Sequence, residues 1–235
     1  NFGTQIRCQY VEYLKEGLAE GKDEGHAWKL SRFAEEKLRG DIRDIIRLAG
    51  SEGKAQAGRK NGKSGRLKKG ELTAAGDTMG AQLISLMDGG KTEYIWQRNP
   101  EVWKNCSPIL FPIVGNLRND RTWIDGKEYS IVKHGPCKSL EFRLLYQTGW
   151  EAVFGLDQDS FPAGTYPWKF ELRVRYRLEE TGLTAVLEVN NRDESDIWYC
   201  LGFHTGFNCP LKGGERFEDY YLEFPRRQEK GYRGY

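Results

Sequence analysis

Apolar and polar residues alternate in two long runs in the second half of this 235-residue chain. In the first run the apolar positions are Phe170, Leu172, Val174, Tyr176 and Leu178. In the second run they are Leu183, Ala185, Leu187 and Val189. A period of two predicts strands that bury one face and expose the other, so both runs are predicted to lie in a sheet with one solvent-facing side.

Turn residues separate further strand-like segments. Asp125 and Gly126 stand between the segments 122–124 and 127–129, which predicts a β-hairpin with a two-residue type I′ turn. From Leu72 onward the chain is built of short runs of this kind, with almost no helical periodicity. Many short strands joined by close turns predict a mainly β fold, an antiparallel β-sandwich.

The first 50 residues have a different pattern. Apolar residues recur at near-helical spacing in one group between Tyr10 and Leu18 and in a second between Leu30 and Leu48. Gly50 then offers a suitable end for a helix. We therefore predict an α-helical segment over residues 1–50, ahead of the β-region.

Between these two parts lies a basic stretch. Residues 51–70 carry seven basic side chains and one acidic one, whereas the net charge of the whole chain is only +2. Because the stretch has almost no apolar residues, it cannot bury enough surface to offset the entropy of ordering it. We interpret it as a flexible linker, with a β-domain over residues 71–224 and a separate tail over residues 225–235. The stretch lacks interleaved aromatic residues for base stacking, so the favoured interpretation is a solvated linker and not a nucleic-acid-binding segment.

The cysteines and the apolar runs indicate the cellular compartment in which the protein is expected. The five cysteines are widely spaced and form no Cys-x-x-Cys pair, so we interpret them as free thiols in a reducing cytoplasm. No apolar run approaches the roughly 18 residues of a membrane span, and none near the N-terminus is typical of a signal peptide. The chain begins with Asn1 and not with methionine, which suggests a fragment. The pattern leaves the oligomeric state open.

Two of the three histidines are candidates for acid/base chemistry. His134 opens a short segment with a glycine, and His204 stands between glycines and aromatic residues after a strand-like run. An unperturbed imidazole titrates near pH ~6.5, so two imidazoles on separate β-segments can form an acid/base pair near neutral pH. The alternative for each is a structural histidine whose ring nitrogens bind the backbone.

Ordered sequence blocks in the β-region resemble a known family. The blocks are residues 77–86, 93–97, 107–117, 125–129, 134–135, 166–170, 201–211 and 217–224. In this order they resemble the aldose 1-epimerases, or galactose mutarotases, and especially a shorter bacterial branch, over about two-thirds of the chain. The resemblance implies a galactose mutarotase-like supersandwich that is incomplete at its C-terminal end and follows an unrelated N-terminal segment.

The resemblance also implies a reaction and its residues. Family members are isomerases that interconvert the α and β anomers of a free aldose, here a hexose, without a metal or organic cofactor. The histidine that matches His204 is the general acid, and the one that matches His134 contacts the sugar and supports the developing charge. The family's base is a glutamate near its C-terminus, to which neither Glu218 nor Glu223 corresponds.

The sequence departs from the family pattern around the expected sugar site. Lys138 stands where the family has arginine, which keeps the positive charge but loses the bidentate fork. Asn116 stands where arginine is common, and Arg118 is the candidate donor to a sugar hydroxyl. Phe207 is a candidate for stacking on the sugar. Core packing is the favoured interpretation for the other aromatic candidates, Trp96, Trp103, Trp168 and Phe203.

Two alternative functions stay open. The missing base also fits a non-catalytic carbohydrate-binding module on the same scaffold, or a hexose-6-phosphate epimerase in which Lys138 and Arg118 contact the phosphate. In the other alternative, residues 1–70 form a nucleic-acid or partner interaction module and the β-domain is a passenger.

Overall fold

The regular structure is almost entirely β, as the alternating pattern predicts. The computed structural model describes residues 28–30 and 64–221. Its strands are β1 Trp28–Leu30, β2 Ser64–Lys69, β3 Leu72–Asp77, β4 Leu83–Met87, β5 Ile109–Leu110, β6 Arg121–Ile124, β7 Lys127–Ser130, β8 Arg143–Gln147, β9 Glu151–Asp157, β10 Phe170–Leu178, β11 Leu183–Asn191, β12 Ile197–Tyr199 and β13 Gly202–Phe203. Single 3₁₀ turns lie at Arg118–Asp120, Cys137–Ser139, Gln158–Ser160 and Phe217–Asp219.

The two alternating runs pair with each other in the main sheet. β10 and β11 form a hairpin, and the antiparallel sheet has the order β11-β10-β9-β8. The apolar residues of β10 are buried, and its charged residues face outward in ion pairs such as Arg175–Glu151 at 2.6 Å. The prediction of one buried and one charged face is therefore confirmed for β10, whereas Ala185 and Leu187 of β11 are only partly buried.

A second, three-stranded sheet of order β2-β3-β4 packs against this main sheet. The two approach closely where glycines face side chains: a Cβ at Gly76 would lie 2.9 Å from the ring of Phe154. The hydroxyl of Tyr176 on β10 crosses the interface and donates to the carbonyl of Ala81 at 2.6 Å. These contacts complete a sandwich of antiparallel sheets, which confirms the predicted fold class.

The predicted boundary of the linker is wrong at its C-terminal end. Residues 64–69 form β2, which pairs in register with β3. Leu67 is buried in the core, while the basic residues beside it, such as Arg66 and Lys68, are exposed. The high charge hid this strand because a solvent-facing side tolerates lysine and arginine. The rest of the predicted linker lies outside the described residues.

The other predictions for the chain ends fall mostly outside the described residues. β1 pairs antiparallel with β12, so residues 28–30 are extended and not helical. The remainder of the predicted helical segment 1–50 and the tail 225–235 are not among the described residues. Within the described ranges, no helix has the length and apolar character that a membrane span requires. Three cysteines in these ranges, Cys106, Cys137 and Cys209, are free thiols.

The predicted hairpin at Asp125-Gly126 is confirmed. β6 and β7 pair antiparallel, with Ile124 opposite Lys127. Asp125 has φ 51° and Gly126 has φ 76°, the two left-handed conformations of a type I′ turn. The hairpin is fixed to the body at its base, where the amide of Ser130 donates to the carbonyl of Gly164 at 3.1 Å.

The Tyr176 hydroxyl gives a direct test of the interface between the sheets. Tyr176→Phe removes the bond to Ala81 and leaves a buried carbonyl without this donor, so the free energy of unfolding should fall by about 1 kcal/mol. Chemical denaturation measures the change. Tyr146→Phe is the matched control, since Tyr146 is partly exposed on β8, and its stability should stay within about 0.5 kcal/mol of the wild type. Equal stabilities for both variants would contradict the assigned bond.

Candidate active site

His204 lies in an extended segment at the centre of the site. β13 pairs with β5, and beyond this pair the amide of His204 donates to the carbonyl of Pro108 at 3.1 Å. Two residues on, the amide of Gly206 donates to the carbonyl of Cys106 at 2.6 Å. These backbone bonds fix the position of the segment, while the side chain of His204 is exposed to solvent.

The ring of Trp103 packs against the imidazole of His204. Their ring centroids lie 5.1 Å apart, with the planes tilted by 42°. Trp103 is held in turn by Trp96, whose indole Nε1 donates to the Trp103 carbonyl at 2.8 Å. A side chain at Gly206 would collide with the indole, because a Cβ there would lie 2.7 Å from the Trp103 ring. Trp103 therefore limits the orientations of the imidazole from one side.

His134 stands in a turn that the backbone holds tightly. Its φ is 66°, and that of Gly135 is 72°, both in the left-handed region. The His134 amide donates to the carbonyl of Gly115 at 2.9 Å, and the His134 carbonyl accepts from the amide of Phe111 at 3.2 Å. A Cβ at Gly135 would collide with the carbonyl oxygen of Phe111, so this turn requires glycine.

The hydrogen bonding of His134 fixes its neutral tautomer. The amide of Gly115 donates to His134 Nδ1 at 2.9 Å, so Nδ1 is an acceptor and Nε2 carries the proton. Burial lowers the pKa of His134, and the positive charges of Lys138, Lys133 and His204 lower it further. At neutral pH His134 is therefore an uncharged ring that presents an Nε2–H donor.

The two histidines meet at one short stretch of backbone. The backbone amide of His204 donates to the carbonyl of Pro108. The backbone carbonyl of His134 accepts from the amide of Phe111, only three residues farther along than Pro108. At the rise of an extended strand these anchor points are roughly 10 Å apart. The charge of His204 also contributes to the lowered pKa of His134. The structure thus brings together the two residues that the sequence nominated.

Positive charge surrounds His134. Lys138 Nζ donates to the carbonyl of Lys133 at 2.7 Å, which holds this side chain beside the His134 turn. Burial lowers the pKa of Lys138, and the nearby charges of Lys133 and Lys104 add to the effect. Lys138 was predicted from the sequence, whereas Lys104, 34 residues earlier in the chain, was not.

The remaining candidates lie at the edges of this region. Asn116 and Arg118 follow Gly115 and are exposed, with Arg118 opening a 3₁₀ turn. Phe207 is 42% exposed and forms a β-bridge with Ile95 on the neighbouring segment. These three residues border the loops that carry the histidines, but none is held against either imidazole by a hydrogen bond or ring contact.

The described residues include no counterpart of the family's base and no cluster of metal ligands. Glu218 lies in the 3₁₀ turn Phe217–Asp219, and Glu223 is outside the described residues. In the part of the chain that the structure describes, no group of three or more His, Cys, Asp or Glu side chains is placed to hold a metal ion. The described residues thus supply imidazoles and cationic donors to the site.

The two groups that orient the imidazoles, the Gly115 amide and the Trp103 ring, were not predicted from the sequence. Gly115, which binds His134 Nδ1, is 19 residues away in sequence. Trp103, which packs on His204, was interpreted as a core residue, although it is only partly buried. No local pattern marks either group.

The fold and the paired histidines define a galactose mutarotase-like protein. The structure of a galactose mutarotase related enzyme from Lactobacillus acidophilus superposes with a TM-score of 0.63 at 32% sequence identity, covering 67% of this chain and 53% of that one. A galactose mutarotase-like protein from Lactobacillus casei gives a TM-score of 0.61 at 28% identity, covering 64% of this chain and 52% of that one.

The sequence comparison identifies the family. Residues 64–229 match the Aldose 1-epimerase family model, and the chain belongs to this family. It is 38% identical over 164 residues to the plasmid-encoded protein LacX of Lactococcus lactis subsp. lactis, covering 67% of this chain and 55% of LacX. The chain therefore spans about half the length of the curated relatives that it matches.

The match also corrects two predicted boundaries. It begins at residue 64 and not at 71, in agreement with the position of β2. It continues to residue 229, so the first five residues of the predicted tail, 225–229, belong to the family pattern. The eight sequence blocks identify the family but do not give the first and last residues of the match.

A substitution at Gly135 tests the contact that joins the His134 turn to residue 111. Gly135→Ala places a Cβ against the Phe111 carbonyl at a positive φ, and we expect a loss of about 3 kcal/mol in the free energy of unfolding. Gly149→Ala is the matched control, because a Cβ at Gly149 meets nothing within 4 Å. Denaturant unfolding compares the two variants. A Gly135→Ala protein as stable as the control would show that the turn is not held in this way.

The lowered pKa of His134 predicts a pH dependence of stability. With a lower pKa in the folded state than the ~6.5 of an unfolded chain, the unfolded state binds more protons, so stability falls as the pH drops below about 7. His134→Asn keeps an acceptor for Gly115, tolerates the positive φ and removes the titration. Unfolding midpoints between pH 7.5 and 5 should therefore decline less in this variant than in the wild type. Parallel declines would refute the lowered pKa.

Proposed function

We propose that this protein catalyses the interconversion of the α and β anomers of a free hexose. The observation that carries the proposal is the convergence of His134 and His204 on residues 108–111 in a chain of the aldose 1-epimerase family. The comparisons favour neither a non-catalytic carbohydrate-binding module nor a nucleic-acid module.

The reaction needs two proton transfers. A base removes the proton from the C1 hydroxyl, the bond from C1 to the ring oxygen breaks, and an acid protonates that oxygen. The open-chain aldehyde rotates about its C1–C2 bond, and the reverse transfers close the ring on the other face. No atom is gained or lost, so the protein has to supply only an acid, a base and groups that hold the hydroxyls.

The environments of the two imidazoles assign them different roles. His134 has its Nδ1 occupied by Gly115 and is neutral, so it serves as an Nε2–H donor that stabilises charge on a sugar oxygen. His204 is exposed, and its ring is positioned by Trp103, so it is the residue able to exchange a proton with the ring oxygen. We assign His204 as the general acid, in agreement with the matching family position.

Cationic and polar side chains around the pair would hold the sugar. Lys138 lies beside the His134 turn and is the nearest replacement for the family's arginine. Arg118 and Asn116 are exposed on the loop that follows Gly115 and are proposed as donors to the sugar hydroxyls. Phe207, part of the segment that carries His204, is proposed to cover the apolar face of the ring. The expected base is the family's C-terminal glutamate, which matches no described residue.

The names of the relatives suggest the first substrates to test. Both structural relatives are described as galactose mutarotase related or mutarotase-like, so galactose and its epimer glucose are the first choices. We expect an isomerase of the cytoplasm that acts on sugars entering carbohydrate metabolism. The cationic side chains near His134 make a comparison with the 6-phosphorylated sugars worthwhile in the same assay.

Polarimetry tests this proposal. Fresh α-galactose or α-glucose should lose its initial optical rotation faster with the protein than in buffer. His204→Asn should reduce the enzymatic rate by about 100- to 10,000-fold, the contribution of a positioned acid.

Two controls define the outcome. Because His204 is exposed, the thermal unfolding of His204→Asn should match that of the wild type, which separates lost chemistry from lost folding. A wild-type rate equal to that of buffer at micromolar protein would refute the proposed activity. An undiminished rate in His204→Asn would instead refute the assignment of the acid.

A further inference from the structure

A second concave surface lies outside the histidine site. This pocket has a volume of about 400 Å³, and the indoles of Trp123, Trp168 and Trp198 line it. Tyr166 also lines it, and its polar lining includes Thr122 and Asp125. None of the candidate active-site residues takes part. We call it the tryptophan pocket.

Trp123 is presented by the β6–β7 hairpin. It is 63% exposed, which is unusual for so large an apolar side chain in the middle of a paired strand. The hairpin itself is anchored, because Tyr129 is buried and the amide of Ile131 donates to the carbonyl of Asp120 at 2.9 Å. The hairpin thus holds Trp123 in solvent beside Trp168 and Trp198, and a contiguous exposed apolar patch of this kind indicates a binding surface.

The inner side of the pocket is rigid. Tyr166 is buried, and its hydroxyl donates to the backbone carbonyl of Trp198 at 2.8 Å. Its ring packs edge-on against Trp168 with a centroid separation of 5.2 Å. The same tyrosine therefore contacts the ring of Trp168 and the backbone of Trp198, which fixes its own position on the inner side of the pocket.

The chemistry of the lining selects the ligand. We propose that the tryptophan pocket binds a neutral pyranoside as a second sugar site. A pyranose ring has an apolar face of C–H bonds, which packs on an indole, and a rim of hydroxyls. The carboxylate of Asp125 can accept from these hydroxyls, and the hydroxyl of Thr122 can accept or donate. The negative charge of Asp125 disfavours phosphorylated sugars and nucleic acids.

The pocket adjoins the loop that supports His134. Pro112, Ile113 and Leu117 line it, and the loop between them contains Gly115, whose amide binds His134 Nδ1. The volume lies within the range of roughly 300–1,000 Å³ typical of small-molecule sites. The proposal does not depend on catalysis, because the pocket shares no side chain with the proposed acid or its partner.

Methyl β-D-galactopyranoside and methyl β-D-glucopyranoside are suitable probes. Their C1 oxygen is methylated, so they cannot undergo anomeric exchange, and binding is measured apart from turnover. Isothermal titration calorimetry on the full chain gives the affinity of the wild type and of three variants. Trp123→Ala removes the exposed indole and should weaken binding roughly tenfold, as expected for one lost aromatic stacking contact.

Two other variants separate the possible sites. Trp150→Ala is the matched control, since Trp150 is 51% exposed but lies in the turn between β8 and β9, away from the pocket. His204→Asn alters the proposed reaction site. Trp150→Ala should bind the glycosides as the wild type does, and His204→Asn should keep the binding that Trp123→Ala weakens. Any mutarotation rate of Trp123→Ala should equal that of the wild type.

Three results would overturn the proposal. The first is no measurable binding of either glycoside to the wild type at millimolar concentration. The second is binding that survives Trp123→Ala but is lost in His204→Asn, which would place the sugar at the histidines. The third is sedimentation showing that Trp123→Ala dissociates an oligomer while glycoside binding is unchanged, in which case a second copy of the chain covers the indole.

Discussion

The candidate site depends on one short piece of backbone, residues 108–111, which is hydrogen-bonded to a histidine at each end. The carbonyl of Pro108 accepts from the backbone amide of His204, and the amide of Phe111 donates to the backbone carbonyl of His134. These backbone bonds set the separation of the two main-chain anchor points from which the imidazoles extend. The ring of Phe111 lies in a cluster of aromatic side chains that includes Phe170 on β10, and this cluster ties the segment to the main sheet.

The two histidines have different surroundings, so their identical side chains differ in hydrogen bonding and in exposure. His134 is partly buried, bound at Nδ1 by Gly115 and surrounded by positive charge, so it stays neutral and donates from Nε2. His204 is open to solvent and is limited on one side by Trp103. Under the proposed function, a sugar ring between them would meet the fixed Nε2–H donor of His134 and the proposed acid His204, two of the groups that ring opening uses.

The loop after Phe111 connects this site with the tryptophan pocket. Its residues Pro112 and Ile113 line the pocket, while Gly115 holds the ring of His134. A ligand that packs on Trp123 would therefore contact a loop that also supports the proposed chemistry. The close approach of Gly135 to Phe111 leaves this loop little freedom, because the turn on its other side is already in contact with the backbone.

The sequence by itself determined the features that arise from local chemistry. Period-two alternation placed β10 and β11, and the Asp125-Gly126 pair placed the type I′ turn. Ordered motifs identified the family and made His134 and His204 the candidate site residues. Local patterns failed at β2, because its charged residues face solvent, and its pairing with β3 and the burial of Leu67 appear only in the tertiary structure. Tertiary structure alone decided that His134 is neutral and that three distant tryptophans share a pocket. Both outcomes depend on groups far apart in sequence, which only the packing of the sheets and loops brings into contact.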